Sequence, residues 1–364
     1  MNNTVLAVCY DFDKTLSPDD MQAQGLIQSL GYSPDEFWRM TNSFAQENKM
    51  DSNLAYMYHM VQESRGKKCL TRECLRQCGE KITFFKGVED WFDRINSFGK
   101  KHGITVEHYI ISSGLKEMIE GTSIQKNFKK IFACSFCYDS YGVPVWPAQV
   151  VNYTNKTQYL FRIEKGKLDV NDDQVNSYMP EEERPVPFRN IVYIGDSETD
   201  IPCMTLVNKK GGHSIGVFNP SSPDRSKVYS LVSEKRIKYF APADYSEGSE
   251  LDRLIKSIII WTEANEDLTA QALQCKKEST QAIEAIAKAS LGNADKEIQE
   301  AAQGLIDQLN EAISKTSDKN DASLKNELAN AVFQKIIDYN KTIDIGLKSI
   351  GNSFINKRDE NRTK

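Results

Sequence analysis

The sequence predicts an α/β fold: a Rossmann-like parallel sheet with a helical insertion after its first strand and a helical extension at its C-terminal end. Three observations carry that expectation. Val5 to Tyr10 and Ile191 to Ile194 are continuous apolar runs, as expected of strands buried on both faces of a parallel sheet, and Val106 to Ile111 repeats the pattern with Glu107 and His108 inside it. Each run stops on polar residues, namely Asp11-Phe12-Asp13, Ser112-Ser113-Gly114 and Gly195-Asp196. Roughly the last hundred residues contain no Pro and are rich in Ala, Lys, Glu and Gln, a helix-forming composition.

At 364 residues the chain exceeds one typical domain, so two or three structural units are expected. A content of 40% hydrophobic and 10% aromatic residues sets it apart from disordered chains. The formal net charge of -5 opposes general attraction to a nucleic-acid backbone, so no nucleic-acid partner is expected. The run from Val5 has no basic flank or cleavage-like site, and Leu254 to Trp261 is broken by Lys256 and Ser257, so neither signal peptide nor membrane span is expected. The expected location is cytoplasmic. Eight cysteines without the density of a secreted scaffold read as reduced thiols. Cys134 and Cys137 have the spacing of a metal pair, but no second pair with matching spacing accompanies them, and on a strand they would face opposite ways.

The elements follow in order. After the first strand come about ninety residues that read mainly as helix, with helices over Pro34 to Ser43 and Asn53 to Glu63, too long for an ordinary crossover. Phe85 to Ile95 reads as the helix leading back into the sheet. Leu168 to Arg189, rich in Asp, Glu and Pro, reads as a surface loop, and a helix from about Ser249 is expected to end near Trp261. Beyond it, Ile298, Ala302, Leu305, Leu309 and Ile313 recur at helical spacing, as do Leu324, Leu328, Val332 and Ile336. The expected organisation is a discontinuous core of 1–16 and 83–262, an insertion of 17–82 and an extension of 263–364.

Ligands of open α/β sheets gather outside the carboxyl ends of the strands, so the three polar clusters are expected to converge. Four motifs then appear in order: Asp11-Phe-Asp13-Lys-Thr15, Ser112, Lys156 and Gly195-Asp196-Ser-Glu-Thr-Asp200. Together they resemble the haloacid dehalogenase superfamily, whose motifs are Asp-x-Asp-x-Thr, a strand-ending Ser or Thr, a Lys, and Gly-Asp-x-x-x-Asp. The insertion's place and helical character are similar to the first cap type, that of the phosphoserine phosphatase-like branch.

The resemblance implies a phosphomonoester hydrolase. Asp11 would attack phosphorus and form an aspartyl-phosphate, and Asp13 would protonate the leaving oxygen and then activate water. Mg2+ would be held by the Asp11 side chain, the Asp13 carbonyl and Asp196, with Asp200 and Thr15 supporting them. Ser112 and Lys156 would bind phosphoryl oxygens, although Ser113 also fits the former role. True dehalogenases lack the second Asp, so Asp13 favours phosphoryl transfer. Lys14 stands where many members have glycine. Glu36, Arg39 and Arg65 are charges of the insertion that could meet a substrate. A small phosphorylated substrate is expected, with no membrane partner, and homo-oligomerisation stays open. Two alternatives remain: a phosphotransferase with the same chemistry, and an interaction module built on the C-terminal helices.

Overall fold

The structure is a computed structural model describing residues 4–67, 70–196, 198–222 and 224–292, with 300, 303, 304, 307 and 311. By contacts the chain divides into Met1–Thr269 and Ala270–Lys364. The first unit is built on seven strands: β1 (Thr4–Tyr10), β2 (Ile104–Leu115), β3 (Phe128–Tyr138), β4 (Pro144–Gln149), β5 (Ile191–Gly195), β6 (His213–Phe218) and β7 (Tyr239–Pro242). They lie in the order β4-β3-β2-β1-β5-β6-β7, all parallel except β4, which pairs antiparallel with β3. This is the expected Rossmann-like α/β sheet.

The chain leaves central β1 for β2 and β3 on one side and later crosses to β5 on the other. The strand order therefore reverses at the carboxyl end of β1, where such sheets place their ligands. Leu6 to Tyr10 and Ile191 to Ile194 have no exposed surface, which explains why both read as unbroken apolar runs. One polar chain threads this core. Trp91 Nε1 donates to Tyr10 Oη at 2.8 Å, Tyr10 Oη lies 2.9 Å from His108 Nδ1, and His108 Nε2 lies 3.0 Å from Asn96 Oδ1. Burial drives His108 down to about 3, so the ring is neutral; its Nε2–H donates to the Asn96 oxygen, and Nδ1 accepts the hydrogen bond of the Tyr10 hydroxyl.

The helices between β1 and β2 are α1 (Leu26–Ser29), α2 (Pro34–Glu47), α3 (Ser52–Ser64), α4 (Arg72–Gly79) and α5 (Val88–Lys101). Their starts are explicit in sequence. Ser33 and Glu36 form a capping box with Pro34 in the first turn, Asp51 Oδ1 accepts from the Asn53 and Leu54 amides, and Thr71 Oγ1 accepts from Cys74 N. Val88, Trp91, Phe92, Ile95 and Gly99 give α5 one buried stripe. It begins three residues later than expected because Gly87, at φ 81°, ends a turn.

The remaining helices are α6 (Lys116–Gly121), α7 (Lys156–Glu164), α8 (Ile201–Lys209), α9 (Ser226–Ser233) and α10 (Glu250–Gly292). Here one expectation fails. α10 does not end near Trp261, because no Gly or Pro occurs between Thr262 and Leu291 to stop it. Leu251, Ile255, Ile258 and Ile259 are buried, whereas every residue from 270 to 285 is exposed. The apolar lines at Ile298 to Ile313 and Leu324 to Ile336 lie outside the described residues. No described helix is long and apolar enough to cross a membrane.

Candidate active site

The site begins where β1 runs out. Asp11 N still donates to Ile194 O at 2.9 Å, and the Thr15, Leu16 and Ser17 amides then converge on Phe12 O. This tight turn holds Phe12 in the core, with no exposed surface, and leaves Asp11 and Asp13 at the sheet's end. Lys14 sits at its apex with φ 57°, a conformation that favours glycine, and its Nζ pairs with Asp20 at 2.9 Å.

The sheet register gathers the expected residues. Tyr10 pairs with Ile110 on one side and Ile194 on the other, so Asp11, Ser112 and Asp196 all follow at one edge. Lys156 starts α7 and is 1% exposed; its Nζ lies 3.1 Å from Asp11 Oδ1 and 2.8 Å from Asp200 Oδ1. Asp200, with no exposed surface, also accepts from Tyr193 Oη at 2.8 Å. Gly195 gives that carboxylate room, since a Cβ there would lie 2.6 Å from Asp200 Oδ2. Thr15 Oγ1 donates to Asp196 Oδ1 at a long 3.5 Å, and Tyr245 Oη fixes the Thr15 carbonyl at 2.9 Å.

Carboxylate oxygens of Asp11, Asp196 and Asp200 lie within 4.8 Å of one another. One buried ammonium faces them. Burial, then Asp200, raises Asp11 to about 6 despite Lys156, and burial with Asp11 and Asp200 raises Asp196 to about 8. Burial alone would lower Lys156; Asp11 and Asp200 overcome it and hold the amine above its usual range. The surplus of negative charge and the all-oxygen donor set fit a hard divalent cation.

Asp13 is not part of that group. Its Oδ1 accepts from Met21 N at 2.8 Å, and burial, then Asp11 and Asp20, pushes its carboxyl well above the usual range. Ser112 is 1% exposed on β2, and its Oγ accepts from Gly114 N at 3.0 Å. Glu36 is used up in the Ser33 capping box, while Arg39 and Arg65 are exposed. Cys134 is buried and Cys137 exposed on β3, the opposite facing expected of the pair. Sequence reasoning missed Tyr193, Met21 and Tyr56. The first left a trace as a hydroxyl within a strand buried on both faces. Tyr56, on α3, donates to Ser113 O at 2.9 Å.

A parallel sheet with an aspartate-and-lysine site at its reversal point defines an α/β enzyme architecture with metal-assisted chemistry within reach. The model of the haloacid dehalogenase-like hydrolases matches residues 8–205, and the chain belongs to that family. An uncharacterised protein of Borreliella burgdorferi is 29% identical over 273 residues, covering 68% of this chain and 94% of its own. Among solved structures, a probable phosphoserine phosphatase of Vibrio cholerae is 12% identical with a TM-score of 0.46, over 72% of this chain and 67% of that one. A haloacid dehalogenase family hydrolase of Salmonella enterica serovar Typhi is 17% identical with a TM-score of 0.43, over 69% of this chain and 70% of that one.

Proposed function

We propose that the protein is a cytoplasmic, magnesium-dependent phosphomonoester hydrolase that works through an aspartyl-phosphate at Asp11. The observation that carries this reading is the placement of Lys156 Nζ, 3.1 Å from Asp11 and 2.8 Å from Asp200, beside the Asp11, Asp196 and Asp200 carboxylates. Asp11, Asp196 and the Asp13 carbonyl would hold the magnesium, which when bound supplies positive charge against the phosphoryl oxygens. In the first half-reaction a carboxylate oxygen of Asp11 bonds to phosphorus as the ester P–O bond breaks. Asp13 gives its proton to the departing alkoxide, a role that suits a carboxyl held well above its usual pKa. In the second, Asp13 takes a proton from water, whose oxygen bonds to phosphorus and frees Asp11 and inorganic phosphate. Lys156 and the Ser112 hydroxyl bind the phosphoryl oxygens that do not react, and Asp200 with Tyr193 keeps the lysine aimed.

In this reading residues 17–82 act as a cap that excludes water and selects a small leaving group, on the core of 1–16 and 83–262, with 263–364 as a separate extension. Phosphate release from a panel of phosphomonoesters, with magnesium and after chelation, tests it. Magnesium-dependent turnover of at least one small ester is expected. Release of phosphate from none, or equal release without metal, would overturn it, and transfer to an added alcohol in place of water would select the phosphotransferase alternative.

A further inference from the structure

Tyr56 belongs to the inserted helices, yet its hydroxyl is spent on the main sheet. The residue is 3% exposed, its ring meets Trp38 edge-on with centroids 5.8 Å apart, and its Oη donates to Ser113 O at 2.9 Å. That carbonyl sits between the two groups whose placement matters most. Ser112 precedes it, and Gly114 follows so closely against Asp13 that a Cβ there would lie 3.2 Å from Asp13 Oδ2. Met21 closes the cluster: its amide donates to Asp13 Oδ1 at 2.8 Å and its Sδ accepts from Leu115 N at 3.3 Å. One peptide unit therefore separates the tyrosine's anchor from the Asp13 carboxylate.

The start of the same helix reaches the other donor segment. Asp51 Oδ2 accepts from Asn152 Nδ2 at 2.7 Å, and Asn53 Nδ2 donates to Val151 O at 2.8 Å. Asn152 O in turn accepts from Lys156 N at 3.0 Å, so this turn launches the lysine. Packing alone does not call for these bonds. Ala55, Met57 and Met60, all without exposed surface, already seat α3, and a phenylalanine would fill the same space as Tyr56.

Resting on the phosphatase reading above, we infer that Tyr56 is a positioning residue for phosphoryl transfer: anchored on the Ser113 carbonyl, it holds α3 against the segment bearing Ser112 and limits the leaving group admitted beside Asp13. Burial, with the nearby Cys134 and Asp13, keeps the phenol protonated, so it remains a donor wherever the enzyme works.

The test compares wild type, Tyr56→Phe and Tyr56→Ala with magnesium on propyl phosphate and on bulkier 1-naphthyl phosphate. Removing the hydroxyl takes the tyrosine's hydrogen bond from a part-buried carbonyl, so Tyr56→Phe lowers kcat/KM for propyl phosphate about 3- to 10-fold, chiefly through kcat. Tyr56→Ala moves the naphthyl-to-propyl ratio of kcat/KM upward by about tenfold or more. Independently of turnover, hydrogen exchange of Tyr56→Phe speeds up over Ser112 to Lys116 and at the start of α3, while β1 and β5 keep wild-type rates. Loss by one common factor for both esters, or unchanged exchange over Ser112 to Lys116, overturns the inference. Where wild type turns over neither ester, the comparison is made on the smallest and the bulkiest esters it accepts from the panel; a wild type inert on the whole panel sinks the phosphatase reading and the size limit with it, while the exchange comparison still decides whether Tyr56 anchors the segment.

Discussion

Gly195→Ala concentrates the structural argument in one methyl group. The added Cβ would lie 2.6 Å from Asp200 Oδ2, 2.7 Å from its Cγ and 2.9 Å from its Cβ. Since the whole side chain is too close, rotating the carboxylate does not relieve the clash, and Asp200 must retreat by roughly 0.6 to 0.9 Å to reach ordinary contact. A retreat of that size stretches two bonds that now measure 2.8 Å, from Lys156 Nζ and Tyr193 Oη, beyond useful range. Each is a buried hydrogen bond to a charged group, worth about 1.5 to 3 kcal/mol, so the expected loss of folding stability is about 3 to 6 kcal/mol. Urea unfolding followed by far-ultraviolet circular dichroism measures it without any assumption about substrate. Turnover of whichever ester the wild type accepts is expected to fall about 100-fold or more, because the lysine that faces Asp11 loses its aim. A variant within about 1 kcal/mol of wild type and fully active would refute the reasoning, since Asp200 would then hold nothing in place.

Asp13→Asn would leave the nucleophile intact but remove the proton donor, so kcat/KM, which reports the first half-reaction, is expected to fall by roughly 100- to 10,000-fold, least for esters with good leaving groups; equal loss of kcat/KM across leaving groups would contradict the role. Magnesium at about 100 times its Kd is expected to stabilise the folded protein by about 2.7 kcal/mol, and Asp196→Asn to abolish that gain; thermal unfolding with and without chelator reads it. Calcium, which tolerates more ligands, is expected to stabilise without supporting turnover. His108 governs acid stability. Its folded pKa of about 3 lies below the ordinary histidine value near 6.5, so only the unfolded chain takes up the proton between them. Its contribution is complete above about pH 6.5 and is lost as pH falls toward 3, on the order of 5 kcal/mol in all; His108→Gln is expected to flatten this limb in urea titrations at successive pH values.

The parts of this fold legible in sequence are those where one local rule decides. Apolar runs ending at Asp11 and Gly195 mark strands because burial on both faces leaves no room for alternation, and Ser33-Pro34 with Glu36 states where α2 begins. The convergence of Asp11, Lys156 and Asp200 was legible only as order along the chain, since their contact depends on the sheet register across β1, β2 and β5. Tyr56 was invisible for a stronger reason: its partner is a backbone carbonyl 57 residues away, and carbonyls leave no mark in a sequence. The length of α10 was misjudged because Trp261 ends an apolar stripe, and the end of a stripe marks where a helix stops being buried rather than where it stops.

The central claim is that Asp11 becomes phosphorylated. Rapid acid quenching of the protein during turnover of an accepted phosphomonoester, followed by peptide mass spectrometry, measures this directly. One phosphoryl group on the peptide containing Asp11 is expected, lost on treatment with hydroxylamine as an acyl phosphate should be, and missing in Asp11→Asn, which keeps the fold but does not turn over. Turnover by the Asp11→Asn protein, or a phosphoryl group trapped on another residue, would contradict the account.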